Sequence, residues 1–127
     1  LQKVGNEDDS AGVGNGFVDV YWPNGTLSSR FASQGLLNSP WGIAEARPGF
    51  GSSNTGILIG NFGDGHINVF DVEGNFKGQL MNGGSPVTID GLWAIDNDIP
   101  GIMPKQLYFT AGPNEEADGL FGFLQKQ

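Results

Sequence analysis

Asp64 and His66 stand two residues apart in a glycine-rich run, Gly60-Asn61-Phe62-Gly63-Asp64-Gly65-His66, and His66 is the only histidine in the chain. Three chemistries use residues of this kind. A glycine-rich loop cradles phosphate when a following helix aims its backbone N–H groups at the anion. Asp-Gly loops contribute oxygen ligands to calcium. An Asp-His pair activates a serine nucleophile in hydrolytic triads. Ile67-Asn68-Val69-Phe70 follows the run, and this is an alternating, β-branched strand pattern with no helix start. An Asp-Gly pair between an apolar run and an alternating one is a hairpin signal, so the run reads as a turn between two strands. No Gly-x-Ser-x-Gly elbow accompanies His66, and a single histidine excludes a histidine-rich metal site.

Carboxylates and amides are the remaining candidates. Asp90 precedes the Leu92-Trp93-Ala94-Ile95 segment, as Asn38-Ser39 precedes Pro40-Trp41-Gly42-Ile43. Asn38, Ser39, Trp41, Asp90 and Trp93 are therefore the candidate ligand-binding set, three polar residues beside two indoles that can stack on a ligand. The competing reading is that Asn38, Ser39 and Asp90 cap turns through backbone amides, while the tryptophans pack between sheets. Glu7-Asp8-Asp9, Asp96-Asn97-Asp98 and Asn114-Glu115-Glu116 are oxygen-rich clusters that can supply some calcium ligands. None follows the twelve-residue calcium loop pattern, which favours solvated surface loops. No cofactor is expected beyond calcium at such a loop, and no catalytic residue is assigned.

The elements that must position these residues repeat. Asn15 to Leu27 (NGFVDVYWPNGTL) aligns with Asp64 to Phe76 (DGHINVFDVEGNF), a spacing of 49 residues. Asp118-Gly119-Leu120-Phe121 starts a third copy 54 residues after Asp64. The tryptophan segments lie 52 residues apart, and Ile57-Leu58-Ile59-Gly60 returns 50 residues later as Leu107-Tyr108-Phe109-Thr110. Four short strands in about 50 residues is the size of one propeller blade. The expected strands are 16–22 and 26–32, then 41–46, 56–62, 65–71 and 75–81, then 91–96, 106–111 and 119–124. Only Ala44–Arg47 carries a helix signal, and Pro48-Gly49 stops it. The reading is an all-β, partial NHL-like β-propeller of two to three four-stranded antiparallel blades. Residues 1–14 form a flexible acidic lead-in and 15–127 the propeller part, divided into blade parts 15–37, 38–82 and 83–127.

Composition agrees. Charged residues are 16% of the 127, against about 25% in ordinary globular domains, and glycine is 22 residues where about 7% is usual. The net charge of −8 leaves no basic stripe to neutralise phosphates, which excludes nucleic acid as a partner. Cysteine is absent, so disulfides and thiol chemistry are excluded, and no apolar run approaches the ~20 residues of a membrane span. Asn24-Gly25-Thr26 is a glycosylation sequon. The chain begins at Leu1, which points to a processing site or a boundary within a longer polypeptide.

Four ordered motifs carry a resemblance: N-S-P-W-G-I-A at 38–44, L-I-G-N-F-G-D-G-x-I-N-V-F-D at 58–71, I-D-G-L-W at 89–93 and L-Y-F-T-A-G-P-N-E at 107–115. Together they resemble an uncharacterised family of secreted NHL-like six-bladed β-propeller proteins, many with a PEP-CTERM sorting tail. The resemblance implies the C-terminal part of a six-bladed ring and a secreted or cell-surface location, and it carries no activity. Asp96–Pro104 departs from the family pattern. Propellers close with about four to eight blades, so the expected partners are the remaining blades of the same precursor or other copies of the chain. The expected function is a binding or interaction scaffold. Its alternatives are a channel-centred hydrolase or lyase using Asp90 and Asp64, or a structural protein that assembles through open blade edges.

Overall fold

The computed structural model describes residues 9–47, 50, 55–101 and 105–126, and among these there are strands and turns but no helix. Strands β1 (Phe17–Tyr21) and β2 (Leu27–Ser33) form a hairpin. Strands β3 (Pro40–Ala46), β4 (Gly56–Asn61), β5 (Ile67–Phe70) and β6 (Phe76–Gln79) form a four-stranded sheet whose spatial order is the chain order. A short hairpin pairs β7 (Met81–Asn82) with β8 (Ser85–Pro86), and β9 (Leu92–Asp96), β10 (Gln106–Ala111) and β11 (Leu120–Gln125) make a three-stranded sheet. All named strand pairs are antiparallel. The protein is therefore all-β, built from antiparallel hairpins and meanders.

The two larger sheets stack because β3 presents small residues to its neighbour. Pro40, Gly42, Ala44 and Ala46 are buried on one face, while Trp41, Ile43 and Glu45 alternate outward. A Cβ at Gly42 would stand 2.7 Å from the Trp93 carbonyl oxygen, and one at Gly60 would stand 2.9 Å from Leu92 Cδ2. Removing those methyls lets β9 lie directly on β3 and β4. Leu58, Ile67, Val69, Leu92, Ile95, Leu107 and Ala111 then close one core between the sheets. Leu37, Ile59 and Phe70 close a second core beneath the β1–β2 hairpin, with Val18 and Phe31 against it. The pairing Leu58↔Val69 and Ile59↔Asn68 sets which face each residue meets, and a one-residue slip would exchange the two cores.

Ala44 to Ala46 continue β3 as the expected strand 41–46 has it, paired with Leu58, Ile57 and Gly56, because burying the alternate alanines outweighs the weak local helix signal. Pro48 and Gly49 lie outside the described residues. Trp41 was expected between sheets, but it is 54% exposed, as is Ile43, because the β1–β2 hairpin packs on Ile57, Ile59 and Phe70 and leaves this face of β3 open. The β7–β8 hairpin was not foreseen. Its Gly83-Gly84 turn has both φ angles positive (60° and 95°), the turn a two-residue hairpin favours. The turn at Asp64-Gly65 is real but longer than two residues: 62–66 link β4 to β5, with the Asn61 N–H donating to the His66 carbonyl at 2.9 Å. Residues 1–8 of the lead-in lie outside the described residues. Gly14 donates its N–H to the Leu37 carbonyl at 2.7 Å, so the chain is pinned before β1 begins.

Candidate functional site

Asn38 and Ser39 lead into β3 and lie against the 62–66 loop. The Phe62 N–H donates to the Ser39 carbonyl (2.9 Å) and the Gly63 N–H to the Asn38 carbonyl (3.0 Å). Ser39 is fully buried with φ at 52°, a left-handed conformation that serine rarely adopts. Its N–H donates to the Asn15 carbonyl at 3.0 Å. Asn38 is buried as well; its Oδ1 accepts the Gly12 N–H at 2.7 Å and its Nδ2 donates to Asp64 Oδ2 at 3.3 Å. This side chain thus joins the segment before β1 to the glycine-rich loop.

From Asp64 the polar chain continues. Asp64 Oδ1 accepts the His66 N–H at 3.0 Å, and His66 Nδ1 lies 3.6 Å from Asp64 Oδ2. Gln79 Nε2 reaches the same Nδ1 at 3.4 Å and donates to Asn68 Oδ1 at 3.0 Å. Asn68 and Asn61, both fully buried, donate to the Leu36 carbonyl at 3.1 and 2.8 Å. The hydroxyl of Ser39 and Oδ1 of Asn61 have no hydrogen-bond partner among the described residues. Asn61, Asn68 and Gln79 were not singled out in the sequence. The signal available was an asparagine at alternate-face positions of otherwise apolar strands, where amides survive only with partners.

Asp90 and Trp93 belong to a second cluster. Asp90 is exposed and accepts the Asn114 N–H at 3.2 Å, while Trp93 Nε1 donates to Glu116 Oε1 at 2.7 Å. Asn114, Glu115 and Glu116 all have left-handed φ angles of 56°, 54° and 64°. Asn114 Nδ2 ties this turn to Asp118 Oδ2 at 2.7 Å. The two clusters meet through the backbone: the Ile89 N–H donates to the Gly65 carbonyl at 3.0 Å, one residue before Asp90. No hydrogen bond joins Asn38 or Ser39 to Asp90 among the described residues. Trp41 is an exposed ring, 6.3 Å from that of Phe62.

The arrangement sets limits on chemistry. A serine nucleophile needs a hydrogen bond to its base, and Ser39 makes none to His66. Among the described residues no three His, Cys, Asp or Glu side chains converge as metal ligands. Asp96 Oδ1 accepts the Asp98 N–H at 2.8 Å, Asp98 pairs with Arg47, and Asn97 donates to the Glu45 carbonyl at 2.6 Å. The side chains of that oxygen-rich cluster are spent on their own turn and on the end of β3, and Glu7 and Asp8 of the first cluster lie outside the described residues. A groove of about 860 Å³ runs between β6, the β7–β8 hairpin and β11, and none of the five candidate residues lines it.

Three proteins of Acanthamoeba polyphaga mimivirus, each described as uncharacterised, are similar to this chain. One is 38% identical over 121 residues, covering 91% of this chain and 28% of the relative. A second is 38% identical over 119 residues (89% and 30%), and a third 37% identical over 110 residues (86% and 20%). The chain thus spans less than a third of the length of these curated relatives. No protein-family profile and no solved structure matches it.

Proposed function

We propose that the chain is a non-catalytic binding or interaction scaffold built from NHL-like propeller blades, working outside the cell or at its surface. One observation carries this reading: the meander β3–β6 is followed by a second, β9–β11, stacked on it with first strand against first strand. Such a stack holds loops at the strand ends; those loops carry the candidate ligand-binding residues Asn38, Ser39 and Asp90, and Trp41 and Trp93 stand at the starts of β3 and β9 beside them. Asn38, Asp64 and Asp90 are engaged in holding loops, which supports a rigid platform rather than a proton-transfer centre. Trp41, half-exposed beside the tilted Phe62 ring, is the surface on which a ligand would stack. The reading needs no cofactor.

Titration of tryptophan fluorescence with a panel of soluble oligosaccharides and peptides tests it. A saturable change is expected for the native chain and its loss in Trp41→Ala, with Trp22 and Trp93 still reporting. A hydrolytic or lyase turnover that Asp90→Ala abolishes would overturn the scaffold reading in favour of an enzyme.

A further inference from the structure

Asn24-Gly25-Thr26 is the single Asn-x-Ser/Thr triplet among the 127 residues in which x is not proline. It sits at the tip of the β1–β2 hairpin, in the loop from Trp22 to Thr26. The Gly25 N–H donates to the Trp22 carbonyl at 2.8 Å, a β-turn with Pro23 at its second position, where its fixed φ is suited. Gly25 then takes φ of 86°, and the Trp22 N–H donates to the Thr26 carbonyl at 2.9 Å, which closes a three-residue hairpin loop. Asn24 Oδ1 accepts the Thr26 N–H at 2.9 Å, so the amide is folded back onto the threonine of its own triplet. Trp22 and Thr26 oppose each other across the loop, and residues so placed project to one face. All of these bonds lie within residues 22–26 and hold whatever precedes or follows the chain.

We propose that Asn24 is an N-glycosylation site, that its substrate is an oligosaccharide carried on a lipid pyrophosphate, and that the first sugar packs on the Trp22 ring. This rests on the scaffold reading for its extracellular location, because such transfer occurs on secreted chains. In the transfer Asn24 Nδ2 bonds to the anomeric carbon of the sugar. The bond from that carbon to the pyrophosphate oxygen breaks, its electron pair leaves with the lipid pyrophosphate, and one Nδ2 proton passes to a carboxylate of the transferase. No net oxidation or reduction is involved. Three observations suit the site. Asn24 and Thr26 are exposed, and a Cβ built on Gly25 between them meets nothing within 4 Å, so a bulky group has room. The bond from the Thr26 N–H occupies Oδ1 and leaves Nδ2 as the acceptor atom. Trp22, 59% exposed and opposite Thr26, offers an apolar plane to the C–H face of a sugar on the side of the loop where the amide is held.

Expression in eukaryotic cells behind a cleavable secretory signal tests the proposal, with the chain made in bacteria as the unmodified reference. The secreted native chain is expected to gain a glycan mass that peptide N-glycosidase removes, and peptide mapping should place it at Asn24. Asn24→Gln and Thr26→Ala should each lose the gain entirely. By circular dichroism the glycosylated chain should melt about 2–5 °C above the bacterial one, whereas glycosylated Trp22→Ala should match its own bacterial form. A native chain secreted without the glycan overturns the site and leaves the scaffold reading standing; a glycosylated chain that gives no saturable signal in the tryptophan titration overturns the scaffold reading alone. An equal rise in Tm for Trp22→Ala overturns the ring contact. Where secretion fails, translation with endoplasmic-reticulum microsomes gives the same readout on a gel: a shift lost in Asn24→Gln supports the site, and an unshifted native chain overturns it.

Discussion

Replacing Gly65 by alanine perturbs the point where the two loop clusters meet. Gly65 has φ of +72°, and a Cβ there would stand 2.6 Å from the Ile89 carbonyl carbon and closer still to its oxygen. The left-handed conformation costs a non-glycine residue about 1–2 kcal/mol. Pushing the Ile89 backbone aside adds an overpacking cost of about 1–3 kcal/mol. The total, about 2–5 kcal/mol, is a large share of the 5–15 kcal/mol typical of a folded domain. For a chain of this size each kcal/mol moves Tm by about 3–6 °C, so Gly65→Ala should lower it by roughly 10–20 °C. Gly25→Ala is the control. Its φ is +86° with nothing within 4 Å of the added Cβ, so only the conformational cost applies and a fall of roughly 5 °C is expected. Thermal unfolding followed by circular dichroism measures both. Equal falls for the two variants would refute the claim that close approach to Ile89 dictates glycine at position 65.

Two further outcomes follow from burial and charge. Leu58→Ala empties a fully buried site and should cost about 2–5 kcal/mol by urea titration, whereas Trp41→Ala should cost only about 1 kcal/mol because its ring is half-exposed. Similar costs would contradict the assignment of their faces. Asp71 is held well below the ordinary carboxylate value of 3.8, first by the Asn75 side-chain and backbone N–H bonds and then by Lys77 at 2.9 Å. A lowered folded-state pKa stabilises above the unfolded value and loses that contribution as pH falls through the folded one. The native chain should therefore exceed Asp71→Asn in stability at pH 5–7, with the gap narrowing below about pH 4; a gap that stays constant to pH 2 would contradict this.

Local order was legible in the sequence because its causes are local. Alternation of apolar residues and the glycine turns place β3, β4, β5, β10 and β11 within about two residues of where they lie, and the offsets of 49 to 54 residues mark which strands correspond. The candidate site was legible only in part. Asn38, Ser39 and Asp90 do sit at the loops before β3 and β9, as the repeat indicated, and Asn38 and Asp90 make the turn-holding bonds that such residues make. Glu116 as the partner of Trp93, and Gln79 as the partner of His66, were invisible because 23 and 13 residues of chain separate them.

Residue type and period decided that this protein is made of antiparallel strands and where each turns, since strand and turn preferences act over a few residues. Tertiary structure alone decided which side of each strand is covered. Val69 and Phe123 occupy matching places in their repeats, yet one is sealed and the other open, because burial depends on whether a neighbouring sheet is present and no residue encodes its neighbour's presence. For the same reason Trp41 became an open ring and Ser39 a sealed, left-handed corner: the layers on either side of β3, rather than the side chains themselves, settled both.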